Sequence, residues 1–205
     1  MRRAMNLAVL PVIWLAAACA EPPPPAEDVA TTPAAEAMPA AGTPEAKIMG
    51  AMAAAPPEIA ANATIMDWPA TEGGQPTQLR AGTNGWTCFP STPVAIGAAD
   101  EDPMCLDESW LAFANAWLTK QPPAITKLGI GYMLKGDAGS SVTDPFAMAA
   151  TPDNQWHESP PHLMIVVPDV STLAGLPTSP AGGVPYVMWA GTPWAHIMAP
   201  IAEHR

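Results

Sequence analysis

The chain has 205 residues, 49% of them hydrophobic and 13% charged, with a formal net charge of −11. Eight Lys and Arg against nineteen Asp and Glu leave no basic patch to neutralise phosphate, which argues against nucleic acid and against direct adhesion to anionic lipid. Such an acidic balance reads first as solubility.

Taken in chain order, Arg2 and Arg3 precede an apolar stretch over 7–18 that is interrupted by Pro11 and ends in Ala16-Ala17-Ala18-Cys19. The stretch is too short to span a membrane as a folded helix. It reads as a secretory signal over 1–20, so the rest of the chain works outside the cytosol, where disulfides persist. Ala17, Ala18 and Cys19 resemble the lipobox of bacterial lipoproteins. The resemblance implies a lipid on Cys19, a mature chain that starts there, and attachment to an envelope membrane on the periplasmic or outer-membrane side. The departure is Ala16, where that family more often has Leu. Ordinary cleavage after Ala20 is the alternative; it discards Cys19 and gives a secreted protein. Either way the remainder keeps six basic residues against nineteen acidic ones, a net charge of −13, and an even pair of cysteines, Cys88 and Cys105.

Residues 21–57 are mostly Ala, Pro, Thr and Glu, open with the run Pro22 to Pro25, and contain no aromatic residue. Nothing in them supplies a core, so a disordered tether is expected. Within it, 46–55 is rich in Ala and Met and suits a helical turn or two, marginal in isolation. The globular domain is expected over 58–201, which holds seven of the eight tryptophans.

In that domain 63–68 reads as a short strand stopped by Pro69. Segment 79–89 reads as β structure with Asn84-Gly85 as a possible hairpin turn. The strongest helix is 107–120: Trp110, Leu111, Ala114, Trp117 and Leu118 follow helical spacing, Asp107 caps the start and Pro122 ends it. Segment 125–134 alternates, with Leu128, Ile130 and Tyr132 on one face and Gly129, Gly131 and Met133 on the other. Its glycines imply close approach of another element or a ligand. Strands are also expected over 162–167, 186–190 and 194–201, the last two around Gly191-Thr192-Pro193. One helix among several short strands gives an α+β domain with a mainly antiparallel sheet.

Joining Cys88 to Cys105 would staple a loop with little core of its own, worth roughly 3 kcal/mol. The spacing lacks the C-x-x-C geometry of redox pairs. Asp100, Glu101, Asp102, Asp107 and Glu108 offer oxygen ligands for calcium, but not in the spacing of the twelve-residue calcium loop, and a solvated acidic loop is the simpler reading. No G-x-S-x-G, H-E-x-x-H, phosphate loop or G-x-G-x-x-G occurs, so no catalytic residue stands out.

One pattern exceeds chance. His162-Leu163-Met164 opens one predicted strand and His196-Ile197-Met198 lies in another. Residues i and i+2 share a strand face, so each pair sets an imidazole beside a thioether. Four histidines and twelve methionines in 205 residues would give roughly 0.2 such spacings by chance, against the two present. The donors suit copper, especially Cu(I). They resemble the His/Met copper sites of periplasmic proteins in ligand type only. Met133 and Met188 add possible sulfur ligands, and Trp189 or Trp194 a shield. Ordinary core packing of Met and hydrogen-bonded His is the competing account.

Gly82-Thr83-Asn84-Gly85-Trp86-Thr87-Cys88 and Pro103-Met104-Cys105-Leu106-Asp107 resemble hypothetical secreted bacterial proteins with no assigned activity, which implies a secreted domain and no chemistry. The sequence therefore reads as a lipid-anchored envelope protein whose domain binds a protein or small-molecule partner through an aromatic-rich cleft and needs no cofactor. The alternative is a copper-binding protein using His162, Met164, His196 and Met198, and an enzyme ranks third.

Overall fold

The computed structural model describes residues 39–71, 74–92 and 102–201. The signal segment, Cys19, residues 21–38 of the expected tether, Asp100 and Glu101 lie outside the described residues.

The first helix, α1 (Pro44–Met52), starts where the chemistry of helix ends places it. Thr43 caps it by accepting the Ala46 N–H, and Pro44 opens the first turn. A one-turn helix, α2 (Pro57–Ala60), follows. The domain was expected to begin at 58; that boundary is corrected here. Ala51, Ala54 and Ala55 are buried against Ile65, Cys88 and Cys105, and the Leu134 N–H donates to the Ala54 carbonyl at 3.0 Å. Alanine supplies no bulk for a core of its own, and the small surface is what lets this helix lie close on a sheet.

The main sheet has eight strands in the order β2-β1-β3-β4-β5-β8-β10-β9. They are β1 (Thr64–Asp67), β2 (Thr77–Arg80), β3 (Thr87–Phe89), β4 (Met104–Leu106), β5 (Gly129–Met133), β8 (His162–Val166), β9 (Tyr186–Met188) and β10 (His196–Pro200). Every neighbouring pair is antiparallel except β1 with β3. With three α-helices among the described residues this is an α+β domain. A separate ribbon pairs β6 (Ser140–Ser141) with β7 (Trp156–His157).

Asn84-Gly85 does not close a hairpin. β2 and β3 lie on opposite sides of β1. Asn84 donates to the Ile59 carbonyl and accepts the Trp86 N–H, while the Thr83 N–H donates to Asn62. The turn is thus fastened to the chain entering β1. A Cβ on Gly82 would collide with the backbone of Ala63 and Thr64.

The helix α3 (Glu108–Leu118) is capped by Asp107, which accepts from Trp110 N at 2.8 Å and from Ile130 N at 2.7 Å. One carboxylate thereby starts the helix and anchors it to β5. The glycines of β5 are the space for that approach. A Cβ on Gly129 would lie 2.6 Å from Ser109 Cβ and 2.8 Å from Trp110 N. α3 covers one face of the sheet; α1 covers the other face at β1, β3 and β4. Cys88 and Cys105 sit directly opposite each other on β3 and β4, both buried, and form a disulfide. No helix among the described residues is long and apolar enough to cross a membrane.

Candidate functional site

The two His-x-Met segments fall on neighbouring strands. β8 and β10 run antiparallel with Met198 opposite Met164 and Pro200 opposite His162. The side-chain period of two therefore puts His162, Met164, His196 and Met198 on one face, the face under α3. The strands on either side continue it. Met133 of β5 is opposite His162, and Met188 of β9 is opposite His196. Tyr186 lies opposite Met198. All seven side chains are buried.

Register also separates the two histidines. His196 precedes Pro200, the partner of His162, by four residues, or about 13 Å of strand at the usual rise. The Met164–Met198 pair lies between them. One ion held by all four residues would have to bridge that span.

Each ring is tethered in the same manner. His162 Nδ1 meets the Pro160 carbonyl at 2.7 Å, and His196 Nδ1 meets the Trp194 carbonyl at 2.9 Å. A carbonyl only accepts, so Nδ1 carries the proton and each neutral ring has a bare Nε2 lone pair. Burial lowers both pKa values: His196 falls to about 4, with the Trp194 carbonyl opposing and repulsion from a protonated His162 assisting. His162 is also lowered, chiefly by burial, with Asp137 and the Pro160 carbonyl opposing and His157 assisting. Both are neutral at pH 7.

Beyond this the two surroundings diverge. The His196 ring lies edge-on to Trp189 at 4.8 Å, Trp110 at 5.4 Å and Phe113 at 5.5 Å between centroids. Trp189 is itself held fast. It stacks on Trp117, its indole N–H donates to the Ser141 carbonyl, and its backbone takes a positive φ of 56°, a conformation that only firm surroundings maintain in a large residue. His162, fully buried at 0% exposure, instead leaves Nε2 with no hydrogen-bond partner among the described residues. The Tyr186 hydroxyl is in the same condition, with Ser159 beside it but outside hydrogen-bond geometry. Burial pushes that phenol up to about 12. An unmet buried polar atom is costly, and here two fall on one side of the site.

The other sequence-derived candidates have structural work. Asp102 accepts from the Thr92 N–H and hydroxyl, Asp107 caps α3, and Glu108 pairs with Lys127 at 2.9 Å. No three His, Cys, Asp or Glu side chains converge as a metal cluster among the described residues. Ser141 donates to the Asn154 carbonyl and accepts two backbone N–H groups, which is a turn anchor. Trp110 and Trp189 are buried in the roof over the face and line no open cleft. A groove of about 260 Å³ beside it is lined mainly by aliphatic and proline residues, with Phe113 its one aromatic. Sequence reading missed the roof of Trp110 and Phe113 over His196, and also Tyr186. Helical spacing marked Trp110 only as core and did not single out Phe113, and strand order is needed to see what they cover.

No known protein family matches the chain, and no characterised protein or solved structure matches it.

Proposed function

We propose that this chain is an exported envelope protein, anchored by lipid on Cys19, whose disulfide-stapled domain holds a soft metal ion rather than catalysing a reaction. The buried disulfide fits an oxidising compartment. The observation that carries the metal reading is the single buried face on which two imidazoles with bare Nε2 atoms lie among four thioethers. Thioether and neutral imidazole are soft and intermediate donors that together select copper over calcium, magnesium or manganese. Elemental analysis of the protein isolated from the envelope, followed by anaerobic Cu(I) titration, tests it. Copper at about one equivalent supports the reading, and a metal-free protein that competes for no Cu(I) ends it. The lipid is tested separately: detergent-phase partitioning should disappear in Cys19→Ala.

A second reading keeps the domain as a binding module for a small apolar ligand. The groove beside Phe113, Ile125, Val166 and Ala195 favours it. Saturable binding of an apolar fluorescent probe there, unaffected by copper, would separate the two.

A further inference from the structure

We infer that the ion is Cu(I) and that it is held at one end of the buried face only, by His162 Nε2 with the thioethers of Met133 and Met164. This rests on the soft-metal reading above and narrows it. Met133 is the cross-strand partner of His162, where Cβ atoms lie roughly 5 Å apart. Met164 is two residues along the same strand face. Its side chain leans toward β5, because a Cβ on Gly131 would come within 2.9 Å of the Met164 methyl. The missing side chain of Gly131 thus leaves room for a thioether beside Met133 and His162. The imidazole is already aimed: Nδ1 is tied to Pro160, and Nε2 faces the interior unpaired. Three uncharged donors match the low coordination number of Cu(I).

A buried monovalent cation needs a counter-charge. Asp137 supplies one. Its carboxylate is near enough to act on both His162 and Tyr186, and it is fixed by the N–H groups of Gly139 and Ser159 at 2.9 and 3.0 Å. At the other end His196 has three aromatic rings as neighbours, and its role is packing.

The test is an anaerobic Cu(I) competition titration against a chromophoric chelator, using the full chain with Cys19→Ser so that no free thiol competes. Met133→Leu and Met164→Leu keep volume and apolarity, so they keep the fold; His162→Asn and His196→Phe complete the set. His162→Asn should weaken binding by more than about 100-fold, since even the outer partners of metal ligands are worth 10–100-fold. Each Met variant should weaken it by about 10-fold or more, and His196→Phe should bind like the parent. X-ray absorption of the loaded parent should show nitrogen and sulfur neighbours, with less sulfur in either Met variant. A parent that binds no Cu(I) would overturn the soft-metal reading and this inference together. A parent that binds, with affinity lost in His196→Phe or untouched in the other three, would overturn this ligand set while leaving the broader reading standing.

Discussion

The two histidines of this sheet begin alike and end differently. Each opens its strand, each is neutral, and each donates Nδ1–H to the carbonyl two residues earlier. His196 is then enclosed by Trp110, Phe113 and Trp189, so its ring belongs to the core. His162 reaches the edge of the same core beside Asp137, Ser159 and Tyr186 and keeps an unmet lone pair. The same His-x-Met spacing thus yields a packing residue at one end and a donor at the other. The roof decides which, and the roof comes from α3 and the turn after β9.

The largest effect should come from emptying the packed end. His196→Ala removes a fully buried ring from among three aromatics, and a loss of about 3 kcal/mol is expected, by analogy with large-to-small core changes. Urea denaturation measures it. His162→Ala should cost clearly less, because it also removes an unsatisfied atom; an equal or larger loss would break the comparison.

Acid should act through both buried rings. The folded pKa of His196 is depressed to about 4 from an ordinary 6.5, so the unfolded chain binds the proton more readily. Stability is then full above pH 6.5, falls as pH drops toward 4, and levels off below. The lost contribution is roughly 3 kcal/mol for such a shift. His162 shifts in the same direction. His196→Phe should flatten part of the slope and leave the share of His162, and an unchanged slope would show that other groups carry it.

Reducing Cys88–Cys105, which are 17 residues apart in sequence, should cost about 3 kcal/mol. Its effect should stay at the α1 end of the sheet. Thermal melts with and without reductant give the size, and copper affinity measured below the melt should be unchanged. The smallest effect should follow Gly131→Ala. The new methyl crowds the mobile ends of Met164 and Leu106, at 2.9 and 3.0 Å, and meets Trp110 at an ordinary 3.4 Å, so about 1 kcal/mol is expected. Copper affinity should fall more than stability does, because Met164 must move.

Much of this architecture is written locally. Asp107, the Trp110–Trp117 spacing and Pro122 specify α3, and the alternation over 129–133 specifies β5. The His-x-Met spacing placed each imidazole and thioether on one strand face, and the glycines of β5 pointed to a close neighbour. What stayed hidden depends on pairing between distant strands. Asn84-Gly85 carries the chemistry of a hairpin, yet its side chain is spent on Ile59 and Trp86. The alanines of α1 looked like tether because small residues signal no core until a sheet is supplied for them. The four-residue offset between His162 and His196 is a matter of register, and no local pattern encodes it.

The most direct test of the central claim is a long-range proton–nitrogen NMR correlation of the histidine rings at neutral pH, before and after one equivalent of Cu(I). Both rings should start as the neutral Nδ1–H form with a bare Nε2. On adding the metal, the Nε2 signal of His162 should move and that of His196 should stay. Movement of His196 instead, of both together, or of neither would contradict the division of labour between the two ends.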